Sequence, residues 1–198
     1  MNRDEAWQLV TDWTKSESLL HHMLAVEAAM RGYAQHFDED EEQWGLAGLL
    51  HDFDYEAYPD MTAADGHPFT GLRVLKERGD VDEAVINAIA AHASERTGVM
   101  PESLMARTLV AVDELTGFLI AVALVRPTRD IRDITKISSV RKKWKDRSFA
   151  AAVNREEIEH AAELINVDLW EEHVPRVLSA MQAIAADLAL DGRRANGE

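Results

Sequence analysis

The sequence predicts an all-α protein, built as a compact bundle of about eight to nine helices. Hydrophobic residues recur at the three-to-four spacing of a helix along almost the whole chain, and no stretch alternates with period two for long enough to be a strand. Gly and Pro are scarce, 10 and 5 in 198 residues, which excludes most turn-dense β folds. Hydrophobic residues make up 46% of the chain, so it can bury a core and is not disordered.

The predicted helices follow one another with short connections. Asp82 and Asn154 are suited to cap helix starts, and Gly79 and Gly98 fall where helices should stop. The helical pattern is weakest between residues 126 and 135. The predicted ranges are 4–15, 17–35, 41–52, 68–78, 82–94, 102–125, 138–147, 155–166 and 168–190.

Composition narrows the partners that the chain can have. Its 36 acidic residues outnumber its 21 basic ones and give a net charge of -15, which argues against a nucleic-acid polymer or an anionic membrane. The absence of cysteine excludes disulfides, a Cys-zinc site and a thiol nucleophile. The N-terminus lacks a basic region followed by an apolar stretch, so we expect no signal peptide and a cytoplasmic location. The oligomeric state stays open.

Positive charge is concentrated in residues 126–147, which hold nine Lys or Arg and three acids, a net of +6. This segment is either an ordinary solvated helix face or a cationic lip for a phosphorylated substrate. Because one helix face at most can point into a pocket, only two or three of these side chains should bind substrate. The candidates are Lys136, Arg141, Lys142, Lys143 and Lys145, with Arg155 behind them in the next predicted helix.

Several His and Asp residues stand among apolar neighbours. His22 and His92 each lie on the apolar face of a helix, and His67 precedes one. His51 and Asp52 end a helix of small apolar residues. Taken singly, each has an ordinary interpretation as a hydrogen-bonded core residue or a charged helix end.

Asp113 lies inside an apolar helix with no Lys or Arg one turn away. Burying an unpaired carboxylate costs several kcal/mol, so this group needs a cation. Either a metal ion or a salt bridge from elsewhere in the fold would supply it.

In chain order, these residues resemble the H…HD…H…H…D pattern of the HD superfamily of metal-dependent phosphohydrolases. The local sequences are similar as well, notably Gly48-Leu-Leu-His-Asp52, His67-Pro-Phe-Thr-Gly71 and Ala91-His-Ala-Ser-Glu95. The HD pair is followed by Phe53-Asp54 rather than by Ile-Gly, so the resemblance leaves subgroup and substrate open. It implies one all-α HD domain over residues 1–190, with a metal-binding core at about 17–125, a helical extension at 126–190 and a frayed tail at 191–198.

The resemblance also implies the residues and the chemistry of the site. His22, His51, Asp52 and Asp113 would hold a first metal, His67 and His92 would hold a second, and Asp52 would bridge them. Such a nitrogen-rich set favours one or two divalent transition metal ions, Fe, Mn, Co, Ni or Zn. A metal-bridging hydroxide would attack a nucleotide or another small phosphorylated metabolite, with His51 and Asp52 at the centre of catalysis.

Two other functions share this ligand set, a di-iron oxygenase and a metal-holding regulatory module without turnover. A single metal would remain if His67 or His92 pointed away. Of the other polar residues, Asp54, Tyr55 and Tyr58 follow the HD pair and either shape the pocket mouth or pack within a loop. Glu114 adjoins Asp113 and either supports that expected ligand or pairs elsewhere. His36, His160 and His173 are expected on the surface because their helical settings are polar.

Overall fold

The all-α prediction is confirmed. The computed structural model describes residues 1–193, which contain ten α-helices and no strand. A 3-10 turn, Ile131–Asp133, and a π-helical turn, Leu169–His173, are also present in this part of the chain. The helices are α1 (Arg3–Trp13), α2 (Glu17–Phe37), α3 (Glu41–Leu50), α4 (Phe69–Arg78), α5 (Glu83–His92), α6 (Ser94–Thr97), α7 (Leu104–Leu124), α8 (Ile137–Lys145), α9 (Arg155–Leu164) and α10 (Val174–Ala183).

The residues predicted to begin and end helices do so in the structure. Asp82 accepts a hydrogen bond from the backbone N–H of Ala84 and Asn154 accepts one from that of Glu157, so each satisfies a free N–H of the first helical turn. Gly79 and Gly98 both have a φ of 71°, the left-handed conformation that ends a helix and that glycine adopts without strain.

Two long helices, α2 and α7, form the centre of the bundle. Helix α2 packs against α3, α7 and α10, while α7 also packs against α5 and α9. Both helices bury apolar side chains along their length, among them Met23, Met30, Leu109 and Phe118. No helix within residues 1–193 is long and apolar enough to cross a membrane.

The close approach of α2 and α3 depends on Gly48. A Cβ atom at this position would lie 2.9 Å from backbone atoms of Val26 and Glu27, which is shorter than real contacts allow. The glycine therefore lets the two helices meet backbone to backbone, and it brings the end of α3 beside α2.

The prediction of one helix over residues 168–190 was wrong. A π-helical turn precedes α10, α10 ends at Ala183, and residues 184–189 form turns. Ala189 has a φ of 50°, and its neighbours Leu188 and Leu190 are buried. The composition of this segment favours a helix, but burying both leucines requires the chain to leave the helical path.

The chain after Leu190 returns to the loop before α8. The Leu190 carbonyl accepts a hydrogen bond of 2.8 Å from the N–H of Ile131, and Asp191 forms an isolated β-bridge with Asp130. The predicted frayed tail begins at 191, and its residues 194–198 lie outside the described residues.

His173, expected on the surface, is completely buried. Its Nε2–H donates to the carbonyl of Ala111 on α7 at 2.9 Å, and its Nδ1 accepts from the hydroxyl of Tyr33 on α2. Burial lowers the pKa of His173 to about 4, so the ring is neutral at pH 7. This histidine joins the π-helical turn to both central helices.

Candidate metal centre

Five segments bring the predicted histidine and aspartate side chains together. His22 comes from α2, His51 and Asp52 from the end of α3, His67 from the loop before α4, His92 from the end of α5 and Asp113 from α7. Their ligand-type atoms fall into two groups, and the atoms within each group lie within 4.8 Å of one another. The first group is His22, His51 and Asp113, and the second is Asp52, His67 and His92.

The first group has the spacing of a coordination shell. Oδ1 of Asp113 lies 3.0 Å from Nε2 of His22 and 3.5 Å from Nε2 of His51. Metal–ligand bonds of about 2.1 Å place neighbouring ligand atoms roughly 2.9–3.4 Å apart in tetrahedral or octahedral geometry. The three side chains are therefore arranged as neighbouring ligands of one ion.

The second group shares Asp52 with the first. Oδ1 of Asp52 lies 3.3 Å from Nε2 of His67 and 3.5 Å from Nε2 of His92. Its other oxygen, Oδ2, faces the first group and lies 3.4 Å from Nε2 of His51. One carboxylate thus presents one oxygen to each half of the cluster.

Hydrogen bonds at the outer ring nitrogens orient three of the histidines. Nδ1 of His51 contacts the Gly48 carbonyl at 2.8 Å, and Nδ1 of His92 contacts the carbonyl three residues before it. Nδ1 of His67 contacts Oδ1 of Asp54 at 2.7 Å. Because these oxygens only accept, Nδ1 of each ring is the donor, and Nε2 faces the cluster, where it can bind a metal ion once it carries no proton.

This arrangement leaves lone pairs that only a cation satisfies. Nε2 of His67 and Nε2 of His92 are 3.2 Å apart, so with Nδ1 of each ring donating outwards the two Nε2 atoms face each other. Nε2 of the buried His51 has no hydrogen-bond partner among residues 1–193. Four imidazoles and two carboxylates fit one or two divalent transition metal ions better than Mg²⁺ or Ca²⁺, which prefer oxygen.

The histidine and aspartate side chains of the cluster shift one another's pKa values strongly. Burial alone would lower the pKa of His51, but the facing carboxylates of Asp52 and Asp113 outweigh it and raise that pKa well above its usual value. Burial would raise the pKa of Asp113, but the His51 and His22 rings hold it well below its usual range. The carboxylates therefore stay ionised and attract a cation of any kind, a proton or a metal ion.

Asp54 supports the second group from behind. Its carboxylate is 1% exposed, and Oδ2 accepts the backbone N–H of Gly71 at 2.6 Å while Oδ1 holds His67. A Cβ atom at Gly71 would lie 2.8 Å from the Asp54 carboxyl carbon, so only glycine leaves space for it. The alternatives for Asp54 in the sequence were the pocket mouth or local packing, whereas its contacts are those of a residue that orients a ligand.

A cavity of about 430 Å³ opens over the cluster. Side chains from the loop after α3, from α6, from α7 and from the start of α9 surround the potential ligands. The wall includes Tyr55, Met61, Arg96, Glu114, Asn154 and Glu157. Tyr58, the other tyrosine considered for the mouth, packs near Trp13, with 6.1 Å between ring centroids.

The predicted cationic lip is not at this cavity. None of Lys136, Arg141, Lys142, Lys143, Lys145 and Arg155 lines it. Arg155 is 3% exposed and donates to five backbone carbonyls, including that of Trp144 at 3.0 Å, so its predicted role in substrate binding was wrong. Arg141 lies over the Trp170 ring and pairs with Glu171 at 3.1 Å.

Sequence reasoning missed five polar residues of the wall, which are Ser94, Glu95, Arg96, Asn154 and Glu157. Arg96 follows His92 by four residues, and Asn154 was singled out only as a helix cap, while Glu157 lies on a helix remote in sequence from every expected ligand. Proximity to His92 was the one signal available for Arg96. Asn154 and Glu157 reach the cavity only because α9 packs on α7.

The fold and the cluster define a helical protein with a histidine–aspartate metal centre. The family model described as HD domain matches residues 19–117, half of the 198-residue chain. The chain therefore belongs to the HD domain family. This family is part of a superfamily of metal-dependent phosphohydrolases. No curated protein and no solved structure matches the chain significantly.

Proposed function

We propose that this protein hydrolyses a phosphoester of a small metabolite, such as a nucleotide, at a binuclear metal centre. His22, His51 and Asp113 would hold one ion, His67 and His92 the other, and Asp52 would bridge them. The observation that carries the proposal is the division of Asp52, whose Oδ1 lies 3.3 and 3.5 Å from Nε2 of His67 and His92. Its Oδ2 lies 3.4 Å from Nε2 of His51 and 3.9 Å from Nε2 of His22.

The metal ions, when bound, would supply an activated water molecule and positive charge for the phosphoryl oxygens. The residues of the chain hold and orient this centre. Asp54 fixes the ring of His67, and the Gly48 carbonyl fixes that of His51. The net effect is a rigid constellation, which is what phosphoryl transfer needs, since its catalysis rests on positioning and charge.

The cavity supports a small substrate. A volume of about 430 Å³ lies within the usual range for sites that bind small molecules. Glu114, Asn154 and Glu157 offer hydrogen-bonding groups to the part of the substrate beyond the phosphoryl group. The acidic composition supports the expectation of no nucleic-acid polymer as partner.

The test combines metal analysis with an assay panel. Purified protein reconstituted with Mn, Fe, Co, Ni or Zn should bind about two ions per chain and hydrolyse at least one substrate of the panel, releasing phosphate from a phosphomonoester or nucleotide, or a phosphomonoester and an alcohol from a phosphodiester. The variant Asp52→Asn should lose both properties. The control His160→Ala, which changes an exposed histidine outside the cluster, should keep both.

The outcomes separate the competing functions. Phosphate release under anaerobic conditions supports hydrolysis. Bound iron without any hydrolysis would reject the proposal in favour of oxygen chemistry. Failure to bind any of the five metals would remove the basis of the proposed function.

A further inference from the structure

Arg96 is the one arginine or lysine among the described residues that lines the cavity over the cluster. It lies in α6, four residues beyond His92, and Gly98 ends this short helix. Thr97 anchors the segment through a hydrogen bond of 2.8 Å from its hydroxyl to the carbonyl of Ala90. A positive side chain is therefore held beside the second group of potential ligands.

Two contacts fix the guanidinium group. One terminal nitrogen donates to the carbonyl of Ala63 at 2.9 Å, and the guanidinium carbon lies 5.1 Å from the centre of the Phe69 ring. Ala63 and Phe69 lie on either side of His67 in the chain. The charge of Arg96 is thus positioned by the same segment that supplies a potential ligand.

The side chain still has donors to offer. Nε of Arg96 is buried and has no hydrogen-bond partner within residues 1–193. Buried Nε atoms of Arg126, Arg141 and Arg176 share this property, but none of these three residues lines the cavity. Nε itself is closed to the cavity, whereas Nη1 makes no hydrogen bond within residues 1–193 and is not buried, so it is the donor available to a molecule in the cavity.

We infer that Arg96 binds a non-bridging oxygen of the substrate's phosphoryl group, on the His67–His92 side of the cluster. This inference rests on the proposed function, because it assigns part of the same site. A guanidinium offers a planar fork of donors that matches phosphate, and its charge is permanent. The three carboxylates on the wall, Glu95, Glu114 and Glu157, make a fixed cation the more necessary for an anionic substrate.

The experiment compares Arg96→Gln and Arg96→Lys with Arg107→Gln. Arg107 is a matched control because its guanidinium group also donates to a loop carbonyl, from Nε to Pro101 at 3.1 Å, and because it does not line the cavity. Arg96→Gln should raise KM for a phosphoester about ten- to hundredfold, as expected for a lost hydrogen bond to a charged group. The KM of Arg96→Lys should lie between those of the wild type and Arg96→Gln, since lysine keeps the positive charge but lacks the planar fork of donors.

A second measurement uses inorganic phosphate as the probe. Calorimetric titration of the metal-loaded proteins should show phosphate affinity reduced in Arg96→Gln by a factor similar to that in KM and unchanged in Arg107→Gln. Metal content and melting temperature should match those of the control. Added ethylguanidinium should restore part of the phosphate affinity to Arg96→Gly.

Two results would overturn the inference. Unchanged phosphate affinity in Arg96→Gln would show that the side chain does not bind the anion. Loss of metal in both Arg96→Gln and Arg96→Lys, with no rescue of Arg96→Gly, would show that it only anchors the loop. Either result leaves the proposed function intact if the wild type hydrolyses its substrate, whereas a wild type that binds metal and phosphate without hydrolysis would reject the function alone.

Discussion

At the scale of single residues, the hydrogen bond from His67 to Asp54 is the contact that fixes the second half of the cluster. Asp54→Asn should weaken binding of one metal ion about ten- to hundredfold, because the ring of His67 loses the carboxylate that orients it. The other ion should bind as before. Metal titration followed by calorimetry measures both sites.

The control for this variant is Asp60→Asn, which changes an exposed aspartate of the same loop. Asp60 accepts hydrogen bonds from Thr62 and takes no part in the cluster. Equal metal binding by the two variants would show that Asp54 does not orient His67.

The sequence allowed the six clustered side chains to be predicted, but not the residues that surround them. Their order along the chain resembles one known pattern, and each lies in a clear helical or terminal setting. The function of Asp54 depends on Gly71 leaving space for it, and the position of Arg96 depends on Phe69 and the Ala63 carbonyl. Such contacts join separate segments, so local sequence carries little trace of them.

At the scale of helices, His173 links the stability of the bundle to pH. Its pKa of about 4 in the folded protein lies below the ordinary value of 6.5, so the unfolded chain binds the proton more readily. Stability from this group is complete above pH 6.5 and is lost as pH falls from 6.5 towards 4. The full loss amounts to about 3 kcal/mol.

Denaturant unfolding at pH 7, 5.5 and 4.5 tests this expectation. The variant His173→Gln keeps a group that can accept from Tyr33 and donate to Ala111, but it cannot titrate. Its stability should therefore fall less steeply below pH 6.5 than that of the wild type or of His160→Gln. Parallel curves for all three proteins would contradict the assignment.

The contact between α2 and α3 gives a second prediction at this scale. Gly48→Ala should destabilise the protein by about 1–3 kcal/mol, because the added Cβ would meet the backbone of α2 at 2.9 Å. Gly117→Ala, in α7, is the matched control, because a Cβ there meets nothing within 4 Å. The control should be neutral or more stable by up to about 1 kcal/mol.

Urea unfolding of the two glycine variants measures this difference. A Gly48→Ala protein as stable as Gly117→Ala would show that the helices can separate slightly at little cost.

Helix starts were more predictable from the sequence than helix ends. Asp82 and Asn154 act within one turn, so their capping follows from local residue types. The end of α10 depends instead on burying Leu188 and Leu190 and on the bond between Leu190 and Ile131. These are tertiary effects, and they outweigh the local preference for a helix.

At the scale of the whole molecule, the segment after residue 125 completes the core. Helices α9 and α10 pack on α7 and α2, and Phe118 of α7 contacts Trp144 with 5.1 Å between ring centroids. A chain ending at residue 125 would expose this apolar surface to water. We expect it to be unfolded or aggregated, as circular dichroism and gel filtration would show.

A folded, metal-binding fragment of residues 1–125 would contradict this expectation and would make the extension a separate unit. The prediction of one domain over residues 1–190 implies that the fragment will not fold. Helical periodicity predicted the fold class, and composition predicted the acidic net charge. The position of the basic segment could not be predicted, because only the packed structure shows which helix faces the cavity.

The clustered ligands and part of the cavity wall come from different segments of the chain. The six residues of the cluster lie between residues 22 and 113, whereas Asn154 and Glu157, which also line the cavity, come from the extension. Under the proposed function, substitutions at Asn154 and Glu157 should therefore alter which molecules bind without changing a metal ligand. During evolution the substrate can therefore change through substitutions in the extension, while the metal ligands and the reaction they support stay the same.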